Sequence, residues 1–575
     1  MENKKYSLDA VLPRTDRQNR IWGRENQGRL YDAKVVVNGN GLLSEMVLGG
    51  LAGLGIGEVF IFDNTKNNVF QRSFLTDSGK LDYRARDLKQ TLGRINPYIQ
   101  IYAYKSIFSE SILDYEGFRP DIIVDASNSL QSKEKVLDYL KENPDTSFIS
   151  GCANHKKSLV SVLDEDKSNV DDLLCNLGEF DRQTQGGLVS SVAGGIMADE
   201  IRKKIFQINE KDRPVENRFF YNLDSKSRIG SDCDIHRDIG DITGKKFLVA
   251  GAGSIGNYVA LNLALSGFKN IDILDCDSVE DSNLNRQILF YDKIGQRKAE
   301  VLSERIKQLG KIKSKGFDCK LDKNSGSFFK ANKYDLIFGC FDNVRARYLL
   351  SEFAVKFGIP YIDGGTNGTK GSAVLYIPEK TPCVKCSKGL KLEEEVKASC
   401  GDAAPSVVIP NIVIGGLMVG EAVNYLSGRD LLKSSIGYST MEKERIFMKS
   451  VMSGERGCEC KREMKNRESK RKEGIVINKG GGNKKEKARK ARSLIEMATR
   501  GVKETRKTRE IMSEEGKDVG VNGNGKRRKE EDDRKEIGER RENDKNEKVK
   551  KENNGKRKEE GEFVRALRIL FNYKG

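Results

Sequence analysis

The apolar and polar pattern of the chain is organised around the stretch Phe247–Lys298. The apolar run Phe247–Ala250 predicts a buried strand, Tyr258–Leu265 a helix, and Ile271–Leu274 a second strand ending at Asp275. Further on, Arg297–Leu309 has the period of an amphipathic helix, and Tyr334–Gly339 reads as another buried strand. Ile359–Asp363 predicts a strand leading into GGTNGTKG, a glycine-rich turn. The longest apolar run, Val407–Val423, is broken by Pro410, Asn411 and three glycines, which makes it a poor membrane span.

The pattern occurs twice. Val35–Asn64 aligns with the stretch beginning at Phe247, so that Gly39 pairs with Gly251, Gly41 with Gly253 and Asp63 with Asp275. Asp121–Asn128 pairs with Asp335–Asn343, and Gly186–Ile201 with Pro410–Val423. Asn217–Ser225 reads as the closing strand of the first copy. The repeat predicts an α/β chain of two fused domains, residues 1–229 and 230–460, related by a pseudo-two-fold axis. Residues 461–575 are too poor in apolar side chains to offset the entropy of ordering and predict a disordered tail. The last segment, with Phe563, Leu567, Ile569, Leu570 and Phe571, predicts a short docking helix.

Gly251, Gly253 and Gly256 stand in G-x-G-x-x-G spacing between strand and helix, where backbone N–H groups meet phosphate. Asp275, after the second strand, suits ribose hydroxyls. To this point the pattern fits NAD as well as ATP. Asn283, Arg286 and Gln287 in SNLNRQ, and then Lys298, change that reading, because two cations just past a phosphate loop suit a triphosphate.

Charge and cysteine usage narrow the setting. The net charge of +17 invites a nucleic-acid reading, but residues 461–575 hold 38 Lys and Arg against 23 Asp and Glu, leaving 64 against 62 elsewhere. The folded body is thus nearly neutral, which argues against nucleic acid as its partner. The N-terminus has no apolar signal-peptide core, and the 11 cysteines suit a reducing, cytoplasmic setting. Lys526–Lys529, KRRK, adds a weak signal for nuclear import. Only His155 and His236 are available for histidine chemistry. Two close thiol pairs, Cys383 with Cys386 and Cys458 with Cys460, fit a closed four-thiolate zinc site.

Through GAGSIG, Asp275, SNLNRQ, Lys298 and the CFDN run Cys340–Asn343, the chain resembles the adenylating domain of ubiquitin-activating enzymes. It also resembles their bacterial relatives, the molybdopterin-synthase and thiamine-biosynthesis adenylyltransferases of the ThiF/MoeB/HesA type. The resemblance implies two Rossmann-like domains, ATP with Mg²⁺ held by Asp342, and charge stabilisation by Arg286 and Lys298. Residues 15–23, TDRQNRIWG, are similar to the opening of the family's inactive half, whose arginine crosses to the ATP phosphates; here that residue is Arg17. The first copy is then the inactive one. Ser44 replaces its third glycine, Asp82 falls where Lys298 stands, and Ser127 falls where Asp342 stands.

The family's zinc site has Cys-x-x-Cys in both pairs, whereas the second pair here is Cys-x-Cys. Cys400 resembles the loop cysteine that receives the acyl group in a thioester. The implied partner is a ubiquitin-like or sulfur-carrier protein ending in Gly-Gly, with a conjugating enzyme downstream in the first case. The alternatives are thiocarboxylate formation on a sulfur carrier and a non-catalytic scaffold, the latter disfavoured by Arg286, Lys298 and Asp342.

Overall fold

The computed structural model describes residues 6–66, 73–76, 83–163, 170, 177–180, 184–206, 218–229, 242–391, 405–429, 435–440, 445–449, 458 and 460. The tail 461–575 with its expected disorder and docking helix, and Asp82, His236 and Cys400, lie outside the described residues.

The first sheet contains β1 (Lys34–Asn38), β2 (Glu58–Phe62), β3 (Gln100–Tyr104), β4 (Ile122–Asp125), β5 (Ser147–Ala153), β6 (Lys157–Val162) and β7 (Arg218–Asn222). The second contains β8 (Lys246–Ala250), β9 (Asn270–Asp275), β10 (Gly316–Asp318), β11 (Leu336–Gly339), β12 (Tyr361–Asn367), β13 (Lys370–Tyr376), β14 (Ser435–Ser439) and β15 (Ile446–Lys449). Their orders, β3-β2-β1-β4-β5-β6-β7 and β10-β9-β8-β11-β12-β13-β14-β15, are the same order twice with one strand added. In each, the first five strands are parallel and the rest antiparallel. The chain is two Rossmann-like α/β domains, as the repeat predicts.

The glycine-rich segment after Asp363 is not mainly a turn. GGTN continues β12 and Lys370-Gly371 opens β13, so only Gly368 and Thr369 lie between the two strands. Its glycines serve close packing instead: a Cβ on Gly371 would lie 2.4 Å from Ile414 Cγ1.

The run around Val407–Val423 forms the helix Val408–Leu426, with Pro410 in its first turn, where a missing N–H costs nothing. The helix is long and apolar enough to cross a membrane, but 94% of that window is buried in protein. Its partner is the repeat-related helix Gly187–Phe206, which is likewise buried nearly all round. Paired glycines set their spacing. A Cβ on Gly195 would meet Val413 at 2.5 Å, and one on Gly416 would meet Val192 at 2.9 Å. The other glycine of each pair receives the phosphate-loop helix of its own domain: Gly194 faces Met46, and Gly415 faces Tyr258.

The closing hairpins cross reciprocally. Arg228, after β7, reaches Glu421 on the second domain's long helix at 2.6 Å. Arg445, before β15, reaches Glu200 on the first domain's long helix at 3.5 Å. Both arginines have positive φ, 62° and 58°. Both follow a buried tyrosine by seven positions, Tyr221 and Tyr438, and Tyr438 donates to Asp199 at 3.0 Å. These pairs give the pseudo-two-fold relation at side-chain level.

Candidate active site

β8 ends at Ala250 and the chain turns sharply at Gly251, whose φ is +101°. Any Cβ there would strike the Cys340 carbonyl at 2.8 Å. Gly256 packs the following helix, Ser254–Leu265, onto this turn: its Cβ would lie 1.9 Å from the Gly251 carbonyl oxygen. Gly253 differs, since a Cβ there meets nothing within 4 Å. It caps the helix without a side-chain hydrogen bond, so its missing side chain leaves the helix N-terminus open to the cleft. The helix starts four residues earlier than the apolar pattern alone predicts.

The cleft has a volume of about 380 Å³. Gly251, Gly253, Asp275, Arg286, Gln287, Lys298 and Asp342 from the second domain line it, with Arg17 from the first. Gly256 and Asn283 are not in the lining. Asn283 instead shapes the loop, its Oδ1 accepting from the Glu280 N–H at 3.2 Å. Asp275 accepts from the N–H groups of Ala252, at 2.6 Å, and Asp277, at 2.8 Å. Burial raises its pKa, against those bonds and Lys298.

Arg286 is buried and donates to Ser282 O and Asn285 Oδ1, both at 2.8 Å. Its pKa is lowered to about 10, first by burial and then by the charge of Arg17, with Asp342 opposing. Two arginines sharing a cleft repel until an anion lies between them. Lys298, at the start of the helix Lys298–Lys307, lies 3.2 Å from Asp277 Oδ2. Gln287 Oε1 is buried without a partner among the described residues, leaving an acceptor for an incoming donor.

Arg17 arrives from the first domain on the helix Leu8–Asp32 because its neighbours dock that helix on the 281–285 loop. Arg14 lies 3.4 Å from Asp281, and Asn285 donates to Gln18 Oε1 at 3.4 Å. Gln18 in turn donates to Leu54 O at 2.8 Å. The Ser406 N–H donates to the Arg17 carbonyl at 3.2 Å, which brings the segment before the helix Val408–Leu426 to the same rim.

At the end of β11, Asp342 and Asn343 take separate places. Asn343 caps the helix Val344–Phe357, its Oδ1 accepting from Ala346 N at 2.8 Å. Asp342 is exposed in the cleft and free of capping. Cys340 is buried beneath the glycine turn, and burial raises its pKa. The cleft also contains groups the sequence motifs did not single out: Asp277, Arg345, Arg347, Thr366 and Asn411. Asp277 had a signal, the second acid of DCD; the others lie in segments without a distinctive spacing.

Cys383, Cys386, Cys458 and Cys460 converge, with all four sulfurs within 4.8 Å of one another. Cys386 Sγ lies 3.7 Å from Cys460 Sγ and 3.8 Å from Cys458 Sγ. Four thiolates about 2.3 Å from a tetrahedral zinc are about 3.8 Å apart, so the set fits that ion. The Cys-x-Cys spacing is thus compatible with the convergence of all four thiols.

The first domain's corresponding pocket is small, about 80 Å³. Arg84, and not Asp82, corresponds to Lys298. Each begins its helix, and each N–H bonds the carbonyl two residues past the strand-end acid, Thr65 O at 3.1 Å and Asp277 O at 2.9 Å. The isolated bridges Lys66–Tyr83 and Ser278–Arg297 match in the same register. The cation is retained but withdrawn: Arg84 lies 2.7 Å from Glu45 and 3.0 Å from Asp63, all three buried. At the end of β4, Asp125 is locked by Lys133 at 2.7 Å. By strand register and helix cap, Asn128 and not Ser127 stands at Asp342's place, one residue before the cap Ser129 as Asp342 is before Asn343.

The ThiF family profile matches residues 15–238 and again residues 235–462. Over 180 residues the chain is 38% identical to the SUMO-activating enzyme subunit 2 of Dictyostelium discoideum, covering 31% of this chain and 27% of that protein. It is 34% identical over 160 residues to the NEDD8-activating enzyme E1 catalytic subunit of Caenorhabditis elegans, covering 25% of this chain and 37% of that protein. It is 30% identical over 189 residues to the adenylyltransferase and sulfurtransferase UBA4 of Yarrowia lipolytica, covering 33% of this chain and 47% of that protein. The matched region spans less than half of each relative.

Proposed function

Because the chain belongs to the ThiF family, we propose that it adenylates the C-terminal carboxylate of a small ubiquitin-like protein and then takes the acyl group onto Cys400. The observation that carries this reading is a cleft that Arg17 from one domain and Arg286, Lys298 and Asp342 from the other line together. An anion with its own cation fits that charge distribution. Mg²⁺ bound between Asp342 and the phosphates would neutralise charge that builds on them.

Within the cleft, the open N-terminus of the helix Ser254–Leu265 meets the phosphates, and Asp275 accepts from the ribose. Arg17, Arg286 and Lys298 hold the triphosphate with its α-phosphorus towards the partner's carboxylate. The carboxylate oxygen attacks that phosphorus, pyrophosphate leaves, and an acyl adenylate forms. The Cys400 thiolate then attacks the acyl carbon and AMP leaves. Pro405 lines the cleft. The five residues from Cys400 to Pro405 span at most about 18 Å, a reach that supports Cys400 as the acceptor. The four-thiolate cluster would hold zinc as a structural ion.

A second reading, thiocarboxylate formation on a sulfur carrier, is favoured by the similarity to the UBA4 protein. We keep the cytoplasmic setting that the cysteine usage suggests, with KRRK at Lys526–Lys529 as the signal for the nuclear alternative. The two readings separate in one assay series with a Gly-Gly partner. ATP–pyrophosphate exchange should depend on the partner and fall roughly 100-fold or more in Asp342→Ala, while Lys135→Ala, at a residue that lines the first domain's small pocket, leaves it unchanged. Cys400→Ser should keep exchange and lose the thiol-sensitive adduct. An adduct that persists in Cys400→Ser rules out this acceptor, and a partner that gains sulfur from a persulfide donor without any adduct selects the second reading.

A further inference from the structure

Asp363 is fully buried at the centre of β12, and two cations meet on one of its oxygens. Arg347 Nη1 lies 2.8 Å from Oδ2, and Lys388 Nζ lies 2.5 Å from the same atom. Tyr361 donates to Oδ1 at 2.5 Å. Arg347 also donates through Nε to Phe341 O at 2.7 Å and through Nη2 to Gly364 O at 2.9 Å. Its guanidinium is thus stretched over three acceptors, one of them the carbonyl next to Asp342. Lys388 stands two residues beyond Cys386, at the end of the short helix that carries that thiol.

We propose that Lys388 is a positioning residue for the Asp342 loop, transmitting the order of the four-thiolate cluster to the cleft through Asp363 and Arg347. With Lys388 in place, Asp363 Oδ2 is shared, and Arg347 spends a second donor on Phe341. Without it, the buried carboxylate has one cation left. A planar guanidinium pairs best with both oxygens at once, so Arg347 turns towards Asp363 and releases Phe341. Asp342 then loses its fixed place.

The first domain supports the assignment by contrast. Lys133 is the fourth residue after its helix cap Ser129, as Arg347 is after Asn343. It likewise donates to the loop carbonyl, Ser127 O at 2.8 Å, and to the next strand, Gly151 O at 3.1 Å. That domain has neither the thiol pairs nor an acid at Asp342's place; Ser150 stands where Asp363 does, and Lys133 pairs instead with Asp125 at the end of β4. The extra lysine accompanies the acid.

The inference rests on the proposed role of Asp342, and its test separates the two. Binding of a fluorescent ATP analogue to the full chain is titrated with Mg²⁺ and, separately, in EDTA. Lys388→Met should raise the Mg²⁺ concentration for half-maximal binding about tenfold, the lower end for groups that orient a metal ligand. Affinity in EDTA should stay unchanged, and Lys388→Arg should restore the wild-type value. Stripping the cluster with a chelator, followed by Mg²⁺ repletion, should shift the wild type in the same way and leave Lys388→Met where it is. An unchanged Mg²⁺ midpoint in folded Lys388→Met, or equal losses with and without Mg²⁺, overturns the proposal. Should that variant not fold, Lys388→Gln is held to the same outcomes. Absence of partner-dependent exchange in wild type defeats the adenylation reading alone, since nucleotide binding is measured without a partner.

Discussion

Gly253 and Gly256 sit three positions apart and differ in what a methyl group would do. Gly256→Ala pushes a carbon into the Gly251 carbonyl and should cost on the order of 1–3 kcal/mol by overpacking, read as a lower denaturant midpoint. Gly253→Ala has room, so the midpoint should hold while the KM for ATP rises, because the methyl group occupies phosphate space. Asn343→Ala should cost about 1 kcal/mol through the lost helix cap and retain exchange, the reverse of Asp342→Ala. The glycine spacing and the cations of SNLNRQ were legible because each chemical role depends on position along one short loop. The Arg84 counterpart was not. The segments before the two helices differ in length, and matching Gly79 with Gly295 slides Asp82 onto Lys298; only the bridge register places Arg84 there. The division of labour between Asp342 and Asn343 was also hidden, since either residue type caps helices well.

At the scale of elements, the thiol pairs belong to two segments far apart in the chain, one of them the short helix Val384–Lys388. Purified under metal-replete conditions, the chain should contain one zinc, and chelation should lower its melting temperature, as expected where ion binding contributes to folding. Protein that lacks zinc and melts at the same temperature would remove the ion. The spacing made this cluster readable, because a tetrahedral ion demands four close ligands wherever they originate. The hairpin β12–β13 was harder. Glycine in a strand and glycine in a turn look alike in sequence, and the reason for Gly371 is Ile414, a residue distant in the chain.

The whole molecule is organised by its paired central helices and the hairpins that cross between domains. Glu421→Ala would remove the ion-pair partner of the buried Arg228, leaving it only the weaker attraction of Asp224, and should cost about 3–5 kcal/mol in global unfolding. Asp199 adds a pH dependence. Burial would raise its pKa, but Lys203, Arg202 and Arg445 outweigh burial and bring it down to about 2. An unfolded aspartate titrates near 4, so this contribution is complete above about pH 4 and disappears as pH falls towards about 2. The melting temperature of Asp199→Asn should therefore vary less with pH across that window than the wild type's. The duplicated domains were legible from the repeat, since an apolar pattern survives where its chemistry does not. The exchange of arginines was not legible, because each partner lies in the other copy.

That exchange bears on synthesis. Glu200 emerges from the ribosome some 245 residues before Arg445, and at about 5–20 residues per second the wait is roughly 10–50 s. Throughout it the nascent first domain exposes the apolar flank of the helix Gly187–Phe206, together with charges destined for the interior. It resembles a half-built arch, dependent on scaffolding until the opposite side is raised. The first domain, made alone, is therefore expected to aggregate more readily than the two domains made together.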